Sequence, residues 1–346
     1  MAQTQRIHHI DALRGGAVLL MVMVHAAATW NPFNSPQPSV LAYIVSGLGG
    51  LAAPLFVTLF GWGVLRSELS AKQRIFQSLF LFSMQISVNI TSPHLFHPFT
   101  PGVLSLMAML TLILPFFSRY FRDFNTLPLI LLSIISATIQ LSVPEIQGSG
   151  NWSERVAADS PTMILSNLLV TGTYPLFPWI VFAVLGVTIS KSGANRGANI
   201  PFNPAIRIAV GLGLMFCTVS FFASRAYGVL WAHPTAEACL TFFPANAPFL
   251  LAGVTGVVLI WFLLQNTTLT LFNNAGKLSL TIYIIHFIPL TLMHNFDARF
   301  DWGLGVSALV VLTYTLIWIP ISALWITYYP RANIESVIKS IRNSLF

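Results

Sequence analysis

The chain has 346 residues, of which 55% are hydrophobic and only 8% are charged. Soluble domains carry about 25% charged residues, so this composition excludes a soluble globular protein and predicts an integral membrane protein. The formal net charge of +7 does not indicate a nucleic-acid-binding protein, because the basic residues are spread over loops and form no run with interleaved aromatic residues. Two cysteines are too few for a disulfide framework or a cysteine-rich metal cluster.

Ten segments of the chain are long and apolar enough to cross a bilayer as helices. They cover approximately residues 10–29, 41–65, 74–91, 102–118, 126–143, 162–190, 205–225, 245–265, 275–293 and 303–326. The predicted fold class is therefore all-α: a polytopic membrane protein with about ten transmembrane helices in one domain, residues 1–346. A re-entrant piece or an eleventh helix within residues 226–243 is left open. Pro175 and Pro178 are expected to divide the long sixth segment into a short dipping part and a full span.

Lysine and arginine are distributed unequally between the two alternating sets of predicted loops. One set holds 14 of these residues and the other holds three, which accounts for all 17 in the chain. Because positively charged loops remain in the cytoplasm, both termini are predicted to be cytoplasmic. The three outer residues are Arg155, Arg225 and Arg299. The inner residues are Arg6, Arg14, Arg66, Lys72, Arg74, Arg119, Arg122, Lys191, Arg196, Arg207, Lys277, Arg331, Lys339 and Arg342.

The first predicted helix carries three ionisable residues, Asp11, Arg14 and His25. Arg14 and His25 are eleven residues apart, which places them on one helical face about 16 Å apart along the axis. Asp11 can pair with Arg14 on that face. Placing an Asp or Arg side chain at mid-membrane costs roughly 2.5–3.5 kcal/mol of insertion free energy. A row of ionisable side chains on one face of this helix therefore predicts a functional site. The alternative is a structural ion pair near the membrane rim together with an interfacial histidine.

Two further predicted helices carry polar stripes. In the third, Ser78, Gln85 and Asn89 share one face, and helix-to-helix hydrogen bonding is the favoured interpretation for each of them. In the ninth, Ser279, Tyr283 and His286 share one face, and Lys277 lies at the cytoplasmic entrance. A single histidine inside a membrane often serves only helix packing. Two of them on polar stripes, at positions 25 and 286, are harder to attribute to packing alone.

Two outer stretches are candidate acceptor-binding segments. His94 and His97 follow the third helix and could contact a substrate, although solvated loop histidines are the favoured alternative. No carboxylate or cysteine accompanies them nearby, so a metal site is not expected. Tyr174-Pro-Leu-Phe-Pro-Trp179 combines aromatic residues with two prolines. It could line a cavity at a rigid break, or it could belong to the interfacial aromatic belt.

Three of these motifs together resemble a known family. Asp11-Ala-Leu-Arg-Gly15 followed by Met21-Val-Met-Val-His25 is similar to the first-helix signature of membrane-bound acyltransferases, above all the heparan-alpha-glucosaminide N-acetyltransferase-like group. The acyltransferase-3 proteins share the Arg and His at this spacing. Tyr174 to Trp179, and Gly276-Lys-Leu-Ser-Leu-Thr-Ile-Tyr283 with His286, resemble the group's later motifs. The animal enzymes carry a histidine in the first outer loop, whereas residues 26–40 contain none, which shifts the base to His25.

The resemblance implies transfer of an acetyl group from cytoplasmic acetyl-CoA to a sugar amine or hydroxyl on the far side of the membrane. The implied catalytic residues are His25, as general base or transient acyl acceptor, with Asp11 and His286. The implied acetyl-CoA-binding residues are Arg14, Lys277, Ser279, Tyr283, Asn89 and Gln85. The implied acceptor-binding residues are Trp179, Tyr174, His94 and His97. No metal is expected.

The expected partners are acetyl-CoA, a sugar or glycan acceptor and membrane lipid, with no nucleic acid and with a homodimer left open. The expected location is the bacterial inner membrane. The main alternative function is a transporter of a sugar or sugar-lipid, which a ten-helix composition would also fit. The chain has no internal repeat and no matched pair of broken helices, which are typical of transporters. A non-catalytic scaffold would not explain the alignment of costly ionisable groups.

Overall fold

The structure is a computed structural model that describes residues 7–32, 39–117, 127–192, 197–201, 203–235, 237–267 and 270–346. Of the basic residues used for the orientation prediction, Arg6, Arg119, Arg122 and Arg196 lie outside these ranges. The described chain is mostly helical, and each of the ten predicted segments contains helix. The chain is an integral, multi-pass membrane protein.

The helices of the first half are built from the predicted apolar segments. They are α1 (His8–Thr29), α2 (Val40–Gly49), α3 (Ala52–Arg66), α4 (Ala71–Thr91), α5 (Val103–Phe117), α6 (Leu127–Ser142), α7 (Trp152–Val156), α8 (Pro161–Ser166) and α9 (Leu176–Ser192). Helix α4 begins with a capping box, in which Ser70 and Gln73 each bond the other's backbone N–H.

The second half continues in the same pattern, with shorter helices around residue 286. Its helices are α10 (Pro204–Ala226), α11 (Ala247–Gln265), α12 (Asn273–Lys277), α13 (Ser279–Ile285), α14 (Phe287–Leu292), α15 (Phe296–Arg299), α16 (Leu304–Leu316), α17 (Trp318–Tyr328) and α18 (Ile334–Leu345). Helices α10 and α11 each begin with an asparagine cap followed by an early proline, a sequence typical of helix N-termini.

Six helical stretches among the described residues are long and apolar enough to cross a membrane, and a seventh is added if one bent pair counts as a single span. The bent pair is 161–171 with 176–191, which meet at 48°. The predicted break near Pro175 and Pro178 is thus confirmed, and residues 167–171 before it form a π-helical turn. The count of ten spans and the cytoplasmic location of both termini stay predictions.

The segment after α10 adds one small sheet to the otherwise helical fold, which is consistent with the predicted all-α class. Leu230–His233 (β1) and Ala238–Thr241 (β2) form a two-stranded parallel sheet. Residues 226–235 and 237–243, the stretch left open for an eleventh helix, do not form one. Gly228, at φ 66°, and Pro234 interrupt the stretch, so no uninterrupted run is long enough for a membrane helix.

Helix α1 is central to the bundle and packs against α3, α12 and α16. Its contact with α12 depends on two glycines. A Cβ atom on Gly15 would lie far inside van der Waals contact with the Phe272 carbonyl, and one on Gly276 would meet the Asp11 carbonyl in the same way. Helices α3 and α9 cross similarly, with Gly61 against the Ala183 backbone. Small residues at these crossings let the backbones approach closely.

Replacing Gly15 with alanine is expected to lower the thermal unfolding temperature in detergent, because α1 and α12 must move apart, at a cost of about 1–3 kcal/mol. Gly16 is the matched control, since a Cβ there meets nothing within 4 Å. Gly16→Ala should leave the unfolding temperature unchanged or raise it through improved helix propensity. Equal unfolding temperatures for the two variants would contradict the close packing of α1 on α12.

Candidate functional site

Two histidines from distant parts of the sequence meet inside the bundle. His25 lies on the last turns of α1, and His286 lies at the junction between α13 and α14. The His25 Nδ1 and His286 Nε2 atoms are 2.8 Å apart. The two rings are parallel to within 5° and their centroids are 5.1 Å apart, which is consistent with a hydrogen bond in the plane of both rings. His286 is fully buried, whereas His25 is partly exposed to a cavity.

The second bond of His286 determines which nitrogen of each ring carries a proton. The His286 Nδ1 atom lies 2.9 Å from the Ile282 carbonyl oxygen. A carbonyl only accepts, so Nδ1 of a neutral His286 carries the proton and its Nε2 accepts. His25 therefore donates from Nδ1, and its Nε2 keeps a lone pair. This is the tautomer that a general base or a nucleophile at His25 requires.

Neighbouring aromatic residues fix the positions of the two rings. The Tyr314 hydroxyl donates to the His286 carbonyl oxygen at 2.6 Å, where the helix is interrupted. Phe287 packs on His25 with ring centroids 4.7 Å apart, and Tyr283 lies edge-on to His25 at 6.5 Å. Contacts on three sides leave the imidazole of His25 little rotational freedom, which fixes the direction of its Nε2 atom.

His25 borders a cavity of about 880 Å³, which is within the usual range for small-molecule sites. Most of the wall is apolar or aromatic, and a few polar groups converge on it. Besides His25, the polar and aromatic residues of the wall include Trp30, Asn31, Tyr43, Gln85, Trp152, Tyr174, Trp179, His233, Tyr283 and Ser307.

Tyr174 and Trp179 reach the cavity from the break between α8 and α9. Their rings meet edge to face, with centroids 4.9 Å apart. The Trp179 side chain is 1% exposed, and its indole Nε1–H donates to no partner within the described part of the chain. A buried N–H without a partner is costly, and Trp179 also borders the cavity, so this group is a candidate donor to a bound oxygen.

A buried arginine braces the turn that precedes Tyr174. Arg155 is 2% exposed, and its two terminal nitrogens donate to the carbonyl oxygens of Gln147, Gly148, Thr171 and Gly172 at 2.9–3.3 Å. Burial lowers the pKa of its guanidinium to about 10. The side chain thus joins the outer loop to the turn that precedes Tyr174.

The groups predicted at the cytoplasmic entrance lie apart from this cavity. Asp11 is buried and its Oδ1 is 3.9 Å from Arg14 Nη1, so the predicted pairing is present. Lys277 Nζ donates to Asn274 Oδ1 at 3.3 Å. Asp11, Arg14, Lys277 and Ser279 are not among the residues that line the cavity.

The amide stripe of α4 is engaged in packing. Gln85 Nε2 donates to Asn89 Oδ1 at 2.9 Å, and Gln85 Oε1 accepts from the Leu104 N–H. Asn89 donates to the carbonyl oxygens of Pro98 and Thr100, and Ser78 donates to that of Ala108. These bonds fit the interpretation of the stripe as helix-to-helix hydrogen bonding. Gln85 also reaches the cavity wall, whereas Asn89 does not.

The outer histidines are also outside the wall of the cavity. His94 stacks on His294 with centroids 4.8 Å apart, and burial together with the nearby His294 lowers its pKa. His97 lies beside Phe99 instead. The two residues predicted to act together thus have different neighbours. Among the described residues, no group of three or more His, Cys, Asp or Glu side chains is placed to hold a metal ion.

Several residues of the cavity wall could not be recognised as site residues from the sequence. Trp30 follows the last residue of α1, Trp152 begins α7 and His233 ends β1, and each is a single residue in an unremarkable local pattern. Tyr314 does not line the cavity, but it bonds the His286 carbonyl and was also missed. It is the one tyrosine in the apolar segment 303–326, and a hydroxyl in such a segment could have drawn attention to it.

Comparison with known proteins adds one finding. A family model described as an acyltransferase domain, of the acyltransferase-3 type, matches residues 7–323, which is nearly the whole chain. A search of curated proteins finds no match. The matched region contains the histidine pair and every wall residue of the cavity, whereas α18 lies beyond it.

Proposed function

The chain belongs to the acyltransferase-3 family, and on that premise we propose that it moves an acetyl group from cytoplasmic acetyl-CoA to an amine or hydroxyl of a sugar or glycan on the extracytoplasmic side. The single observation that supports this most is the His25–His286 hydrogen bond beside the cavity, because it leaves a basic nitrogen on His25. We further propose the bacterial inner membrane as the location.

In the direct route, the acceptor N–H or O–H gives its proton to His25 Nε2 while its heteroatom attacks the thioester carbonyl carbon. The resulting imidazolium donates from Nδ1 to His286 Nε2, which stabilises the charge. The tetrahedral intermediate then breaks its C–S bond, and the CoA thiolate leaves with the proton from His25. Trp179 Nε1–H is the candidate donor to the developing oxyanion.

In the second route, His25 Nε2 itself attacks the thioester carbonyl carbon, the C–S bond breaks and CoA leaves as the thiolate, so that Nε2 carries the acetyl group. The acceptor heteroatom then attacks this carbonyl carbon, the N–C bond breaks, and the proton lost by the acceptor passes to the freed Nε2. Both routes need the same tautomer and the same cavity, and they differ in whether CoA leaves before the acceptor binds. Tyr174 and Tyr283, whose side chains border the cavity beside His25, would contact the acyl group or the acceptor in either route.

Arg14 is proposed to bind a phosphate of acetyl-CoA at the cytoplasmic face, oriented by Asp11. Replacing Arg14 with alanine is expected to weaken acetyl-CoA binding about tenfold to a hundredfold, the loss of one charge-assisted hydrogen bond. Isothermal titration calorimetry measures the change. Arg299→Ala on the predicted outer side is the matched control and should leave the affinity unchanged. An unaltered affinity in Arg14→Ala would assign Arg14 a structural role.

The proposed activity is tested with the purified protein in lipid vesicles, acetyl-CoA labelled in the acetyl group, and a panel of glucosamine-type acceptors. The expected result is label on one acceptor with release of an equal amount of CoA thiol. A transporter would move the sugar across the vesicle membrane and leave the thioester intact. Sugar uptake without thiol release would therefore overturn the assignment.

A further inference from the structure

The C-terminal helix α18 caps the helix that carries His286. The Glu335 Oε1 atom accepts from the backbone N–H groups of Leu280 at 2.8 Å and Thr281 at 3.2 Å, and Glu335 Oε2 accepts from the Thr281 hydroxyl. In return, the Thr281 hydroxyl accepts from the Ile334 N–H at 2.9 Å. These are the first-turn donors of α13, which has no capping side chain of its own at Leu278. The cap comes from a helix that begins 53 residues later than Thr281.

Helix α18 presents a separate apolar stripe that the described chain leaves uncovered. Val337, Ile341 and Leu345 recur at four-residue intervals, and their side chains are 44%, 38% and 60% exposed. Glu335, Arg342 and Phe346 lie on another face, where Arg342 donates to Gln77 and Phe346 packs on Phe76. One flank of α18 thus rests on the protein, and the apolar stripe points elsewhere.

The surroundings of α18 indicate what covers the stripe. The helix follows the last membrane helix, α17, after only a few residues, and Tyr328 and Tyr329 at that boundary are 70% and 65% exposed, as is typical of an interfacial aromatic belt. Residues 331–346 contain Arg331, Lys339 and Arg342 against one acid, Glu335. An apolar stripe with basic residues beside it is the pattern of a helix lying in the plane of an anionic membrane surface.

We propose that α18 lies on the anionic lipid surface of the membrane, with the stripe Val337, Ile341 and Leu345 in the lipid, and that this contact holds Glu335 on the N-terminus of α13. Glu335 is then a positioning residue for Tyr283 and His286, one and two turns further along. The location of α18 and the cap stand without any catalytic role, whereas their effect on acyl transfer rests on the proposed function.

The location of α18 is tested with the full-length protein in vesicles that contain phosphatidylglycerol. Cys217 and Cys239 are replaced by serine, and one fluorophore is attached at Ile341→Cys or, as the matched control on the polar face, at Asn343→Cys. Spin-labelled lipid should quench the label at position 341, and aqueous iodide should quench the label at position 343. Equal quenching at both positions would overturn the proposal. Shielding of position 341 from both quenchers would indicate a second protein copy on the stripe and would overturn it too.

The link to α13 is tested by hydrogen exchange of residues 280–285 in the same vesicles. Ile341→Asp should release α18 from the lipid and accelerate exchange about two- to thirtyfold, the effect of losing a helix cap. Asn343→Asp adds the same charge on the polar face and should leave exchange unchanged. Glu335→Ala should match Ile341→Asp. Unchanged exchange in Ile341→Asp would overturn the proposed link, and this readout does not depend on whether the protein transfers acyl groups.

Discussion

Replacing His25 with alanine is expected to reduce acyl transfer by about 10²- to 10⁴-fold, because the variant lacks the nitrogen that accepts the proton or the acetyl group. Both proposed routes need that nitrogen, so the loss is expected whichever route operates. The measurement is the initial rate of acetyl transfer to the acceptor identified in the vesicle assay, at saturating acetyl-CoA.

The control for this variant is His294→Ala, which removes an outer histidine that does not border the cavity. Its rate should equal that of the wild type. Thermal unfolding and gel filtration show whether His25→Ala keeps its fold, which matters because the bond to the buried His286 is lost. A folded His25→Ala variant with a rate within a factor of two of wild type would contradict the proposed base.

Replacing His286 with alanine should lower the transfer rate by about 10²-fold, because it removes the acceptor that holds the proton on His25 Nδ1. His286→Gln is the informative partner variant. An amide oxygen at this position can accept from His25 Nδ1–H, so glutamine should retain more activity than alanine. The KM for acetyl-CoA should be similar in both variants, because His286 itself does not line the cavity.

The outcome that would contradict this role is equal activity of His286→Ala and His286→Gln. Equal losses would mean that His286 acts through packing alone, since the alanine and glutamine variants both lack the imidazole. Equal retention near the wild-type rate would mean that the tautomer of His25 does not depend on His286.

The features that could be predicted from the sequence are those that depend on residues within a single helix. Helical spacing placed Asp11, Arg14 and His25 on one face, and the Asp11–Arg14 pair is present. The proline-rich stretch before Trp179 predicted a broken helix, and the structure bends there. These features depend on local geometry, which the residue types and their spacing determine.

Features that depend on tertiary contacts could not be predicted. His25 and His286 are 261 positions apart, and no rule based on residue spacing predicts a hydrogen bond between their rings. The prediction of orientation placed Arg155 among the positive charges of the outer loops. Its side chain is instead buried and donates to four carbonyl groups. Residues 230–241 are too short and too interrupted to carry a clear period, so their pairing as strands was missed.

The central claim is that His286 holds His25 as a neutral ring with the proton on Nδ1 and a lone pair on Nε2. Nitrogen-15 NMR of the histidine-labelled protein in lipid at neutral pH measures this directly, with the His25 signals assigned by their loss in His25→Gln. We expect a protonated Nδ1 and an unprotonated Nε2 for His25. A proton on Nε2, in either the opposite tautomer or a charged ring, would contradict the account.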